Sequence, residues 1–298
     1  MPPLQDTYLR GWVTDYLADA LLNHSVRGVA FVPPETIWLQ SHRGAPGPAG
    51  ADNQIGNPDE RVVVEFSPPV QPVGEPGFEV GNAARVLIPD PGLGVNPPTD
   101  NPFVVQETVT HLSVWDGNTL AANCLGRIAL AGPVVVPAGQ SLNIDAGLLR
   151  FALDVGDLDA TSAVGRAMAD ALEERLLDLV FRGTASVATL PIGELHEVPT
   201  DDASTSASRV AFSGGDPAVT FGPPASGGAG LRVVSNLLPV TFTGAPPDTI
   251  ATHLRLVAAL GSSGLFHGPL AAPASLPSGG GFEFPEGTLI VRLRTEAA

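Results

Sequence analysis

Apolar residues recur every three or four positions in two separated stretches. Leu9, Trp12, Val13, Tyr16, Leu17, Ala20 and Leu21 form one stripe, and the spacing predicts an amphipathic helix over 7–22 with Asp6 or Thr7 as its cap. Val164, Met168, Ala171, Leu172, Leu176 and Val180 repeat the pattern over 160–180, with Asp159 or Thr161 as cap and Glu173, Glu174 and Asp178 on other faces. Elsewhere the apolar runs are short, alternate with polar residues, and are punctuated by Gly and Pro. They predict strands over 37–40, 61–66, 84–88, 106–115, 120–130, 134–136 and 148–153. A second set is predicted over 196–198, 208–212, 218–221, 230–234, 239–242, 252–260, 265–270, 282–284 and 288–294. Asp116-Gly117-Asn118 is a hairpin signal between two of these runs. The expected fold is mainly β: two tandem β-sandwich or jelly-roll domains, each preceded by an amphipathic α-helix.

The two halves echo one another. Thr110-His111-Leu112 returns as Thr252-His253-Leu254, 142 positions later; Pro137-Ala138-Gly139 and Pro277-Ser278-Gly279, like Gly147 and Gly287, stand 140 apart. Upstream, Leu17-Ala18-Asp19-Ala20-Leu21 faces Met168-Ala169-Asp170-Ala171-Leu172, and Arg27-Gly28 faces Arg182-Gly183. A period of half the chain is a domain duplication, since solenoid repeats span about 20–50 residues. The expected division is 1–156, helix plus β-sandwich copy 1, and 157–298, helix plus β-sandwich copy 2, with the junction near Gly156-Asp157-Leu158-Asp159. Each helix is expected to pack on its own sandwich; docking onto a neighbouring subunit is the alternative.

Composition narrows the function. The 298 residues carry 31 acidic and 15 basic side chains, a formal net charge of −16, and every basic residue other than histidine is Arg. Such a balance disfavours nucleic acid and anionic membrane surfaces as partners. Without lysine there is no P-loop lysine and no Schiff base. No apolar run reaches the ~18 residues of a membrane span, and residues 1–6 show no signal-peptide pattern. The single cysteine, Cys124, reads as a small buried hydrophobe. Triplets over 43–50 resemble collagen but are too few for a triple helix. Asp201-Asp202 reads as a solvated loop. His111 and His253 occupy equivalent positions, and the expectation is a structural histidine that hydrogen-bonds a neighbouring loop; His24, His42, His196 and His267 show no symmetry partner. Trp12 is placed on the helix stripe, Trp38 and Trp115 in strands. No catalytic, cofactor-binding or metal-ligating set is recognisable, and the chain is expected not to be an enzyme and to need no cofactor.

The order of these residues resembles a family of small virion proteins of tailed bacteriophages, described as tail-fibre-like or head-decoration proteins. In the first half the resemblance rests on Leu21-Leu22-Asn23-His24, Arg27-Gly28, Pro33-Pro34, Trp38-Leu39 and Pro46-Gly47. It continues through Asn53-Gln54-Ile55-Gly56, Thr110-His111-Leu112, Trp115-Asp116 and Gly147-Leu148. In the second half it rests on Arg182-Gly183-Thr184-Ala185, Thr252-His253-Leu254, Gly268-Pro269-Leu270 and Gly287-Thr288-Leu289, with Gly261-Ser262-Ser263-Gly264 in place of the Asp-Gly turn. The resemblance implies a structural virion component, made in the host cytoplasm, with major capsid protein or tail proteins as partners and self-association in a symmetric assembly. A capsid decoration or minor capsid protein that stabilises the shell is the first expectation. A tail-associated or fibre subunit, or a host-surface or glycan-binding module, is the alternative.

Overall fold

The structure, a computed structural model, describes residues 9–73, 77–88, 105–153, 163–184, 192–198, 208–211, 217–228, 230–244, 246, 248–257, 264–276 and 281–295. The first half contains β1 (Leu9–Val13), α1 (Asp15–Arg27), β2 (Ile37–His42), β3 (Val62–Val64), β4 (Glu79–Gly81) and β5 (Val86–Ile88). It continues with β6 (Glu107–Trp115), β7 (Cys124–Val136), β8 (Leu142–Ile144) and β9 (Leu149–Ala152). Seven of these strands form one sheet in the order β3-β2-β6-β7-β1-β9-β4, and β5 and β8 pair as a separate ribbon. The fold is mainly β, as the alternating pattern requires.

The stripe over 7–22 is not one helix. Leu9–Val13 is a strand, antiparallel to β7 and parallel to β9, so its backbone is hydrogen-bonded on both edges. Gly11 permits that insertion: a Cβ there would lie 2.4 Å from Ile128 Cγ1 and 2.6 Å from Phe151 Cε1. Trp12 therefore sits on a strand. The helix starts one residue after Thr14, whose hydroxyl oxygen accepts the Leu17 N–H at 3.4 Å. The 3.6-residue spacing was real from Tyr16 onward; before it, pairing with two strands outweighs a stripe too short to separate helix from strand.

The second half contains α2 (Ala163–Arg182), β10 (Ile192–His196), β11 (Ser208–Ala211), α3 (Pro217–Thr220), β12 (Ala225–Gly228) and β13 (Leu231–Ser235). Then come β14 (Val240–Thr243), β15 (Thr249–Val257), β16 (Gly264–Leu276), β17 (Gly281–Phe284) and β18 (Ile290–Arg294). They pair as β11-β10-β15-β16, β12-β13-β18 and β14-β17. The strand predicted over 218–221 is the short helix α3, with proline, whose φ suits a first helical turn, at its start. Runs 120–130 and 134–136 are one strand, β7. The turn before it is longer than Asp-Gly alone, because the Asp116 carboxylate accepts the Asn123 N–H at 2.7 Å and its side-chain amide at 2.8 Å. The expected caps Asp6, Thr7, Asp159 and Thr161, the junction near 156–159, Asp201-Asp202 and the Pro277-Ser278-Gly279 turn lie outside the described residues.

The same pairings recur in the two halves. Glu79 faces Ala152 and Val80 faces Phe151, just as Val233 faces Arg292 and Val234 faces Val291. His42 faces His111, and His196 faces His253. By this register β2, β3, β4, β5, β6, β7, β8 and β9 correspond to β10, β11, β13, β14, β15, β16, β17 and β18; among the described residues β1 and β12 have no strand as counterpart. Two buried asparagines, 154 positions apart, make the same bonds. Asn82 donates to the carbonyls of Ala84 (2.8 Å) and Asp145 (3.0 Å) and accepts the Leu149 N–H (2.9 Å). Asn236 donates to those of Leu238 (2.9 Å) and Pro285 (2.9 Å) and accepts the Leu289 N–H (2.8 Å). In each half this ties the end of the strand before the asparagine, β4 or β13, to the closing turn.

Packing has diverged where backbone has not. Gly126 leaves room for Phe151; a Cβ on it would come within 2.4 Å of that ring. At the matching places stand Phe266 and Val291, so the aromatic bulk has moved from one strand to the other while both sites stay buried. The buried apolar residues of the two halves join in one continuous cluster. No helix among the described residues is long and apolar enough to cross a membrane.

Candidate functional site: the helix junction and the polar sheet face

Each helix reaches across to the other half. Asp19 on α1 receives a two-pronged hydrogen bond from the Arg232 guanidinium on β13, at 2.6 and 2.7 Å, and Arg27 Nε donates to the Phe221 carbonyl at 3.0 Å. Reciprocally, Asp170 on α2 accepts the Gly77 N–H at 3.2 Å and Glu173 accepts the Phe78 N–H at 3.2 Å. Phe181, near the end of α2, stacks on Phe151 (5.4 Å between centroids) and meets Phe66 edge-on (4.8 Å). Both helices end on a left-handed glycine, Gly28 at φ 73° and Gly183 at φ 65°. The halves are therefore related by an approximate two-fold exchange, and neither expectation of where the helices pack describes it fully. Asp19 and Asp170, the acids of the Leu-Ala-Asp-Ala-Leu echo, both bind the opposite half. Glu173, expected off the apolar stripe, is buried and satisfies the backbone amide of Phe78.

The sheet face opposite the helices is polar. In the first half it carries Gln40, His42, His111, Ser113 and Trp115. His42 is fully buried; Nδ1 lies 2.8 Å from the Asp52 carbonyl and Nε2 2.6 Å from Ser113 Oγ, which also accepts the Trp115 indole N–H at 2.6 Å. Arg61 lies over the Trp115 ring at 3.7 Å and donates to the Gly117 carbonyl at 2.8 Å, pinning the hairpin turn. The residue that bonds the covering loop is thus His42. His111 instead approaches Thr110 Oγ1 at 2.9 Å, and His253 approaches Thr252 Oγ1 at 2.7 Å. His42 and His196 do have each other as symmetry partners; the drift in offset from 142 to 154 hid the match.

In the second half the same face is ionic. Glu194 stands where Gln40 does, Arg255 replaces Ser113, and His267 replaces Arg127. Arg255 Nη1 lies 3.3 Å and His196 Nε2 3.5 Å from Glu194 Oε2, all three fully buried, while His253 and His267 stack at 5.1 Å. Among the described residues no three His, Cys, Asp or Glu side chains stand where they could hold a metal ion. Burial pushes the Cys124 thiol up to about 12, which leaves it protonated and unreactive at neutral pH.

Burial pushes the His42 imidazole down from 6.5 to about 4, against the pull of the Asp52 carbonyl. The unfolded chain then takes up this proton before the folded one. Stability is complete above about pH 6.5 and declines as pH falls towards 4, by about 3 kcal/mol in all. Urea unfolding at pH 7.5 and 4.5 should show that loss, and a His42→Gln chain should lack it; an equal pH response in both would assign the effect elsewhere.

No curated protein matches the chain. Residues 12–152, from within β1 to the end of β9, match the model of the family described as Podophage GP4 fiber I protein gp80. That match, spanning the helix, the seven-stranded sheet and its closing turn, supports a bacteriophage virion fibre family as the one this chain is similar to.

Proposed function

We propose that this chain is a structural fibre subunit of a tailed-bacteriophage virion, associated with the tail, and that it acts by assembly rather than catalysis. The observation that carries this reading is the family match over 12–152. The recurrence of its strand pairings in the second half extends the reading to the whole chain, as two copies of one fibre unit produced by duplication. The acidic surface suits contact with protein and disfavours nucleic acid. The capsid-decoration reading has no comparable support, because the matched family is named for a fibre. Cryo-electron microscopy of intact particles containing this chain, with gold-labelled antibody to it, tests the proposal. Label and density along fibres at the tail support it; density repeated over the head lattice would replace it with decoration.

A further inference from the structure

The polar face of the first half holds a hydroxyl, a base and a carboxamide side by side, all buried: Ser113, His42 and Gln40. Gln40 on β2 lies directly opposite Ser113 on β6, and the β2–β3 register, Leu39 with Val62, brings Arg61 to the other side of Gln40. His42 stands two residues further along β2, on the same face. Its Nδ1 lies 2.8 Å from the Asp52 carbonyl, which can only accept, so Nδ1 carries the proton. Nε2 is then the bare nitrogen, and the Ser113 hydroxyl 2.6 Å away donates to it. A hydroxyl in contact with a base that a third group orients is the arrangement of an activated nucleophile. Burial keeps the ring neutral at pH 7, so Nε2 can receive a proton.

Two orphaned atoms complete the set. Gln40 Nε2 donates to the Ile55 carbonyl, yet Gln40 Oε1 is buried with no hydrogen-bond partner among the described residues. Arg61 Nε is buried without an acceptor there, although its Nη1 donates to the Gly117 carbonyl. An acceptor and a donor left unmet on neighbouring strands each cost free energy. Both find a use once negative charge develops on Gln40 Oε1 beside the guanidinium. Reach is sufficient as well: Cβ atoms of directly opposite residues stand about 4.5–5.5 Å apart, and a serine–glutamine ester spans up to about 5 Å. The second half lacks this chemistry at the same place. Glu194 faces Arg255 there, with neither a carboxamide nor a hydroxyl, and the two form an ion pair at 3.3 Å.

We propose that Ser113 Oγ attacks the side-chain carbonyl carbon of Gln40, and that the two residues end joined by an ester with loss of ammonia. His42 Nε2 takes the hydroxyl proton as the O–C bond forms, and Gln40 Oε1 carries the resulting negative charge on the side of Arg61. The C–N bond then breaks, the proton passes from His42 to the departing nitrogen, and NH3 leaves. The step needs no oxidant and no second reactant. It ties β2 to β6 in the first half only, whichever assembly the chain joins. Intact-mass spectrometry of the full chain, folded at neutral pH, tests it. The wild type is expected to weigh one ammonia less than its sequence, and the Ser113→Ala chain to weigh what its sequence gives. After digestion, the peptide holding Gln40 should be recovered joined to the peptide holding Ser113, and mild base should separate them. A wild type at full sequence mass overturns the ester. So does a missing ammonia that maps to other residues, or one that Ser113→Ala retains. If Ser113→Ala fails to fold, the joined peptides of the wild type decide alone. His42→Gln removes the base and should slow the appearance of the ester after refolding by about 100-fold or more; an unchanged rate overturns the part given to His42.

Discussion

Truncating Phe151 to alanine should lower the unfolding free energy by about 3–5 kcal/mol, the range for a large aromatic lost from a packed core. Phe151 is fully buried, stacks on Phe181 and lies edge-on to Phe66 at 5.9 Å. Its ring also fills the space that Gly11 and Gly126 leave open. The cavity would therefore border β1, β7 and α2 together. Two readouts follow: a lower urea midpoint, and faster amide exchange at the end of α2, which belongs to the other half. Val291→Ala, at the matching place, removes less volume and should cost less. A Phe151→Ala loss under about 1 kcal/mol, or one confined to the first half, would mean that the halves do not share the core described above.

Asn82→Ala and Asn236→Ala should each cost about 3 kcal/mol. Either change removes two side-chain donors and one acceptor from backbone groups at a buried turn, with a net value of about 1 kcal/mol per bond and more where the partner stays unsatisfied. Asn82→Asp keeps the acceptor for the Leu149 N–H but sets a buried carboxylate oxygen against the Ala84 and Asp145 carbonyls, so it should cost at least as much as alanine at neutral pH. Similar losses at the two sites, measured by thermal or urea unfolding, would show that the two closing turns are held in the same way. A negligible loss at either would make its asparagine a passenger of the turn.

What the sequence made legible was periodicity over long runs. β6 and β15 were placed to within a few residues, and α2 almost to its ends, because nine to twenty residues average out local ambiguity. β4, β8 and β12 were missed: three or four residues cannot display a period, and they are strands only because a distant partner supplies hydrogen bonds. β1 was misread for the same reason. The junction was half visible. Asp19 and Asp170 stood out as an echo, yet nothing local says that Asp19 binds an arginine on β13 of the other half. The pairing of His42 with His196 was hidden by loops of unequal length.

The first strand and helix have a further consequence, for the timing of synthesis. Leu9 pairs with Leu149, and Asp19 binds Arg232, 213 residues further along. While the chain is being made, β1 lacks its first partner until β7 is translated and its second until β9 follows. The junction face of α1 then waits some 80 residues more, about 4–16 s at typical elongation rates. For that interval the nascent first half holds a finished sheet beside a helix with one face still bare. That is when a foreign strand or a second nascent chain would compete most strongly for the place of β13.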